Sequence, residues 1–199
     1  MENSIKSIID RIWTNFWEGG VTNPLTVIEQ ITYLLFVKGL DEIEISRERN
    51  DAFLRIKREG IFGEKHQDCR WSKFKDMPAE KMFRVVSQEV FPFIKNLAKD
   101  KNSGYAKYME DAIFIIPTPI MLQKVVSAMD KLEMKERDTK GDVYEYLLSK
   151  LNQAGVNGQF RTPRHIIRMM VELMKPTPED IIVDPACGTA GFLVESGEY

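Results

Sequence analysis

Apolar residues recur at intervals of three and four along most of the chain, and that period predicts a largely helical protein. Ile5, Ile8, Ile9, Ile12, Trp13 and Phe16 form a first stripe, with Ser4 placed to cap the helix and Gly19-Gly20 to end it. Asn23-Pro24 starts a second helix through Ile28, Ile31, Leu34, Leu35 and Val37. Its apolar residues spread around so much of the circumference that it is expected at the centre of the fold. Gly39 interrupts the pattern, and Asp41 to Arg58 continue as a long charged helix expected on the surface, bent at its start. Residues 60–77 carry no clear period. Within them Arg70-Trp71-Ser72-Lys73-Phe74 mixes aromatic with basic side chains, an arrangement that suits base stacking but suits better a tryptophan pinning a loop to the core.

Pro78 opens the next helix, whose buried face is marked by Met82, Val85, Val86, Val90, Phe93, Ile94 and Leu97; Pro92 inside it predicts a kink or a break. Asn102-Ser103-Gly104 reads as a turn, and Asp111 to Ile116 as a short apolar run stopped by Pro117. Thr118-Pro119 then caps a helix through Val125, Val126, Met129 and Leu132. Glu133 to Lys140 is a charged linker, after which Gly141 to Leu148 begin a helix that Gly155 ends. Asn157-Gly158 is a hinge, which places a domain boundary near residue 155. Beyond it come a helix from Pro163 to Met174, with Thr162 as N-cap and Pro163 at N1, and a proline-containing loop from Lys175 to Glu179. Last is the β-branched run Ile181-Ile182-Val183, which reads as a buried strand leading through Asp184 into a loop of small residues.

Composition adds little to this pattern. With 43% hydrophobic and 29% charged residues in 199, the chain resembles an ordinary soluble globular protein of one large or two small domains. No apolar run approaches the roughly 18 residues of a membrane span, and Met1-Glu2-Asn3-Ser4 lacks the features of a signal peptide, so a cytoplasmic protein without membrane contact is expected. Cys69 and Cys187 lie far apart without metal-ligand spacing, and His66 and His165 are isolated. Neither a disulfide framework nor a metal site is expected.

Charge changes the picture more. Residues 1–46 hold 3 basic and 7 acidic side chains, residues 47–107 hold 15 and 9, and residues 108–199 hold 10 and 14, so a basic middle lies between two acidic ends. Arg47, Arg49, Arg55, Lys57 and Arg58, with Lys73, Lys75, Lys95, Lys99 and Lys101, suit a footprint on DNA phosphates; the interleaved acids equally suit solvated helix faces.

The candidate chemistry lies in the last quarter. Gly188 and Gly191, in the loop after the acid, let backbone approach a bound molecule closely. The loop has neither a G-x-G-x-x-G pattern nor a Gly-Lys-Ser/Thr ending, and no lysine follows either glycine, which disfavours a phosphate ligand and a nucleotide hydrolase.

Asp184-Pro185-Ala186-Cys187-Gly188-Thr189-Ala190-Gly191-Phe192 resembles the S-adenosylmethionine loop of the DNA adenine-N6 methyltransferases. Gly158-Gln159-Phe160-Arg161-Thr162-Pro163-Arg164 resembles the second cofactor segment that precedes it in the modification subunits of type I restriction-modification systems. Residues 60–77 and the stretch from Gly141 to Leu148 resemble the corresponding parts of those subunits as well. The resemblance implies a mainly α chain: a helical N-terminal domain over residues 1–155, then the truncated start of a doubly wound α/β S-adenosylmethionine-dependent methyltransferase domain over 156–199. It implies that Gln159, Phe160, Arg161, Thr162, Pro163 and Arg164 line the methionine end of the cofactor. Asp184, Pro185, Gly188, Thr189, Ala190, Gly191 and Phe192 would wrap it from the strand side. The activity implied is methyl transfer to adenine N6 in duplex DNA, on a base turned out of the stack, in a complex with a specificity subunit, a restriction subunit and a second modification subunit.

The family pattern then breaks. Its Asn/Asp-Pro-Pro-aromatic motif, which holds the target amine, is missing, because Asn23-Pro24 is followed by Leu25; no catalytic residue is therefore assigned. The acid expected to hold the ribose, about twenty residues past the loop, is not reached by Tyr199 either. The chain is expected to be part of a longer enzyme. On its own it should neither transfer methyl groups nor hold the cofactor usefully, with the run at 181–184 at the surface for want of a parallel neighbour. The alternative is a non-enzymatic helical module that docks protein or DNA.

Overall fold

Every regular element among the described residues is a helix. The computed structural model describes residues 3–56, 58, 60–99, 109, 111–132, 137–153, 162–187 and 190–199, and the chain divides into two units, Met1–Ala154 and Gly155–Tyr199.

In the first unit α1 (Asn3–Glu18) buries Ile9, Ile12 and Phe16, as its stripe predicts. The helix already includes Ser4, so Ser4 is not at the cap position expected for it. α1 is followed by Gly19, where a Cβ would lie 2.2 Å from the sulfur of Met121. A Cβ there would have to displace the Met121 side chain of α6 (Pro119–Asp130).

α2 (Pro24–Leu54) is the long axis of the unit. Asn23 caps it, its Oδ1 accepting from the N–H of Leu25 (3.0 Å) and Thr26 (3.4 Å), with Pro24 in the first turn. The helix does not break or restart at Gly39 but runs 31 residues to Leu54. A lone glycine costs about 1 kcal/mol relative to alanine, which is small against the burial of Val37 and Lys38 before it and Asp41 and Glu44 after it. Arg55 takes a left-handed conformation (φ 55), and Ile56 N–H returns to the Asp51 carbonyl (3.0 Å), closing the helix short of the predicted Arg58.

One face of α2 carries four buried polar side chains, and each holds a segment from elsewhere in the chain. Gln30 donates to the Ile113 carbonyl (2.8 Å) and accepts from Ile115 N–H (3.2 Å), bracketing the extended stretch 111–118 whose Ala112 and Ile116 are buried. Lys38 donates to the carbonyls of Met129 (3.0 Å) and Leu132, placing an ammonium at the negative end of α6. Asp41 accepts from Arg70 Nε (2.6 Å) and Ser72 N–H (2.7 Å). Glu44 accepts from Ile61 N–H (2.8 Å), and a Cβ on Gly60 would collide with its carboxylate at 2.3 Å.

The aromatic-basic stretch is thereby turned inward. After a 3-10 segment (Glu64–Cys69), the one-turn helix α3 (Trp71–Phe74) buries both aromatic rings. Arg70 forks onto Glu48 (2.6 and 3.0 Å) as well as Asp41, while Trp71 Nε1 (2.8 Å) and Lys75 Nζ (2.9 Å) donate to Asp130. Burial alone would raise the pKa of Asp130, yet the bonds from Trp71 and Lys75 hold it below the usual carboxylate range. Trp71 pins the loop; the base-stacking alternative is excluded by its burial.

The helix begun at Pro78 is α4 (Ala79–Val85), a π turn (Val86–Val90) and α5 (Phe91–Lys99). Pro92 brings neither a break nor a stop: the turn before it widens, with Phe91 N–H donating to the Val86 carbonyl five residues back. Pro92 lacks an N–H and its ring would strike the carbonyl four residues earlier, and a wider turn accommodates both. α6 (Pro119–Asp130) is capped by Thr118, whose Oγ1 accepts from Met121 N–H (3.3 Å). α7 (Arg137–Gln153) starts inside the predicted charged linker, ahead of Gly141. It packs on α1 and α2, with Val143 and Leu147 buried, Tyr146 Oη donating to Asp10 (2.9 Å) and Lys150 paired with Asp10 (2.6 Å). The turn expected at Asn102-Ser103-Gly104, the stop at Gly155 and the hinge at Asn157-Gly158 lie outside the described residues.

The second unit holds α8 (Arg164–Met174) and α9 (Gly191–Glu198), packed on each other. The run Ile181-Ile182-Val183-Asp184 is not a buried strand. It has no regular structure, and Ile181 and Val183 are 93% and 78% exposed. A strand exists only by pairing with a neighbour, and no described residue is in a strand; the α/β layer expected after the helical domain is not formed here.

Two outcomes follow for stability. Gly39 has open space where a Cβ would stand, so Gly39→Ala should raise unfolding free energy by about 0.5–1 kcal/mol in a urea titration. Arg70→Ala leaves the Asp41 carboxylate buried without its cation and should cost about 3–5 kcal/mol, whereas Arg49→Ala at an exposed site should change the midpoint little.

Candidate functional site

The two segments singled out in the sequence lie at the starts of α8 and α9. Pro163 takes the N-cap position of α8 (φ −55, ψ 138), and its carbonyl accepts from Ile166 N–H (2.9 Å) and Ile167 N–H (3.1 Å). Thr162 therefore sits one residue upstream of the cap it was expected to provide, exposed beside Pro163. Arg164 is the first residue of the helix. Gln159, Phe160 and Arg161 of this segment, and Gly188 and Thr189 of the other, lie outside the described residues.

In the second segment Asp184 Oδ1 accepts from Ala186 N–H (3.0 Å), an Asx turn that folds the chain around Pro185 and leaves Pro185, Ala186 and Cys187 exposed. Ala190 returns the chain toward α9 in a left-handed conformation (φ 59, ψ 31), its N–H donating to the Cys187 carbonyl (2.7 Å) and its carbonyl accepting from Val194 N–H (2.9 Å). An alanine thus holds a conformation that favours glycine. At Gly191 the close approach is to another helix, since a Cβ there would lie 3.0 Å from Ile167 Cδ1 on α8. Phe192 is half-buried.

Glu195, which the sequence did not single out, joins the two segments. Its carboxylate is 6% exposed and accepts from Arg164 Nε (3.4 Å) and from Arg168 Nε, one turn further along α8. An acid among Phe192, Leu193 and Val194 carries no signal of burial in a single sequence; only the packing of α9 on α8 turns it inward. The structure therefore packs the helix that begins at Arg164 against the helix that begins at Gly191, with Arg164 meeting Glu195, while Pro185, Ala186 and Cys187 are exposed.

The basic middle of the chain is divided. Arg70 and Lys75 are committed to internal carboxylates, and Arg58 pairs with Asp51 (3.5 Å). Arg47, Arg49, Arg55 and Lys73 are exposed, Lys95 is half-buried, and Lys57 and Lys101 lie outside the described residues. The Cys69 thiol is buried and its pKa is pushed up to about 12 by that burial, with Glu89 and Asp68 adding to it, while Cys187 stands exposed on the loop. His66 packs against Phe93 with the rings tilted and 4.9 Å between centroids, and among the described residues no group of three metal-ligating side chains forms. No described helix is long and apolar enough to cross a membrane.

Comparison with known proteins places this arrangement. The HsdM N-terminal domain family matches residues 5–129, and the N-6 DNA Methylase family matches residues 135–199. The methylase subunit of the type I restriction enzyme EcoEI from Escherichia coli is 30% identical over 187 residues, spanning 88% of this chain and 37% of that subunit. The StySPI methylase subunit from Salmonella potsdam is 38% identical over 128 residues, 57% of this chain and 24% of that one. The chain thus spans well under half the length of these relatives. In fold it is similar to a type I restriction enzyme modification subunit from Vibrio vulnificus YJ016 (TM-score 0.76, 22% identity, 98% of this chain and 45% of that one). It is also similar to a chain solved in work on complex assembly and conformational transition of the type I R-M system (TM-score 0.62, 26% identity, 96% and 40%). With a helical unit matched over most of its length and a second match running through the two candidate segments, the chain belongs to the modification subunits of type I restriction-modification systems.

Proposed function

We propose that this chain is part of an S-adenosylmethionine-dependent DNA methyltransferase acting on adenine N6 in duplex DNA. Its partners in that work would be a specificity subunit, a restriction subunit and a second modification subunit, in the cytoplasm. Residues 1–155 serve as the helical domain and 156–199 contribute the cofactor segments of the methyltransferase domain. The observation that supports the reading is the packing of the helix after the first segment on the helix after the second, with Arg164 bonded to Glu195, because a ligand held by both segments needs them adjacent.

The residues fit such a cofactor in kind. The loop offers exposed backbone and small side chains to a flat nucleoside, and Arg164 and Asp184 offer opposite charges to a zwitterionic amino-acid end. When bound, S-adenosylmethionine supplies the electrophilic methyl group. The work of residues 162–192 is to bind and orient it, and the amine acceptor is held by the Asn/Asp-Pro-Pro-aromatic motif, which is not among these 199 residues. Residues 181–183, exposed and outside any strand, need pairing before the loop is preorganised. Ordering costs roughly 1–2 kcal/mol per residue, so residues 1–199 alone are expected to show no micromolar affinity for the cofactor in calorimetry.

Cys187 reports on the site directly. In the whole subunit, saturating S-adenosylhomocysteine should slow alkylation of Cys187 at least about fivefold, as expected where a ligand covers a thiol, while Cys69 stays unmodified until the protein unfolds. An alkylation rate indifferent to the ligand would remove the site from this loop.

The exposed Arg47, Arg49 and Arg55 support weak duplex binding without sequence preference. Replacing Arg47 and Arg49 by glutamine should lower the slope of log affinity against log salt by about 2, one for each phosphate left without its cation. Binding that is absent at low salt, or that does not change with salt, would show that the helical domain does not touch the backbone.

A further inference from the structure

We infer that Glu195 is a positioning residue for the cofactor, holding the Arg164 guanidinium of α8 in place from α9. The inference rests on the cofactor reading above and adds to it a residue that no sequence motif marks. A carboxylate only 6% exposed is costly unless charged donors meet it, and here Arg164 and Arg168 approach its two oxygens from successive turns of α8. A Cβ on Gly191 would lie 3.0 Å from Ile167 Cδ1, so the glycine and the apolar side chains around it let α8 and α9 approach closely. Apolar contact is non-directional, however, and leaves the rotation of one helix against the other loosely defined. Guanidinium-carboxylate bonds are directional, so Glu195 fixes that rotation and with it the direction of Arg164.

For stability alone, a buried ion pair has little advantage over apolar residues of the same volume. Its placement gives it another use. Arg164 begins the helix beside Thr162 and Pro163, while Glu195 lies in the second turn of the helix that the loop enters at Gly191. One carboxylate therefore couples the two segments expected to share a ligand. Aligning a guanidinium matters to a ligand with an anionic group to meet it, and the anionic group of this cofactor is the carboxylate of its amino-acid end.

The test compares two ligands on the whole subunit: S-adenosylhomocysteine, which carries that carboxylate, and 5′-methylthioadenosine, which lacks it. Glu195→Gln should weaken S-adenosylhomocysteine about tenfold, the worth of one charge-assisted hydrogen bond, and change methylthioadenosine less than about twofold. Arg164→Gln should discriminate the two ligands in the same way, and the double variant should lose no more than either single one, because both act through one guanidinium. If Glu195→Gln does not fold, Glu195→Asp, which keeps the charge and shortens the reach, should give a smaller loss confined to S-adenosylhomocysteine. Equal weakening of both ligands assigns Glu195 to structure only and overturns the inference, as does an unchanged affinity for both. Failure of the unsubstituted subunit to bind either ligand overturns the cofactor reading itself, a result distinct from any change seen only in the variants.

Discussion

The helical unit depends on a polar seam on a buried helix. Gln30, Lys38, Asp41 and Glu44 lie along one side of α2, and each binds a stretch of chain that helical packing alone would leave loose: the extended segment 111–118, the end of α6, the Arg70 loop and the turn at Ile61. Apolar packing brings these pieces together without direction. The hydrogen bonds decide which loop meets which turn of α2, because a buried polar group left unpartnered costs about 1–3 kcal/mol. Among the described residues no buried side-chain nitrogen or oxygen lacks a partner, so the seam is fully satisfied.

This internal use of charge reduces the cations that the middle segment leaves at its surface. Arg70 and Lys75 add to the basic count of the middle segment yet face Asp41, Glu48 and Asp130 inside the unit. The exposed cations include Arg47, Arg49 and Arg55 toward the end of α2 and Lys73 on α3.

α7 shows how the two family matches are joined. By sequence it lies in the N-6 DNA methylase match, which begins at residue 135. By packing it belongs to the helical unit, held to α1 through Tyr146, Lys150 and Asp10. The helix that leads into the methylase segments is thus built into the N-terminal unit, and the units meet in sequence just after it.

Local chemistry was enough to reveal much of this molecule. Asn23-Pro24 and Thr118-Pro119 start helices because cap and first turn are set by adjacent residues, and the stripes of α1 and α6 give their buried faces because 3.6-residue periodicity is a property of the segment. The two candidate segments were legible for the same reason, as runs of residue types. Tertiary structure decided the rest. It carried α2 through Gly39, met Pro92 with a π turn where a kink or a break was expected, and chose the carboxylates that hold the Arg70 loop. It also buried Glu195 between two arginines, whereas the exposure of Ile181 to Val183 was already expected from the lack of a parallel neighbour. Each of these turns on what stands opposite a residue across the fold, and partners distant in sequence leave no periodic trace in the segment that meets them.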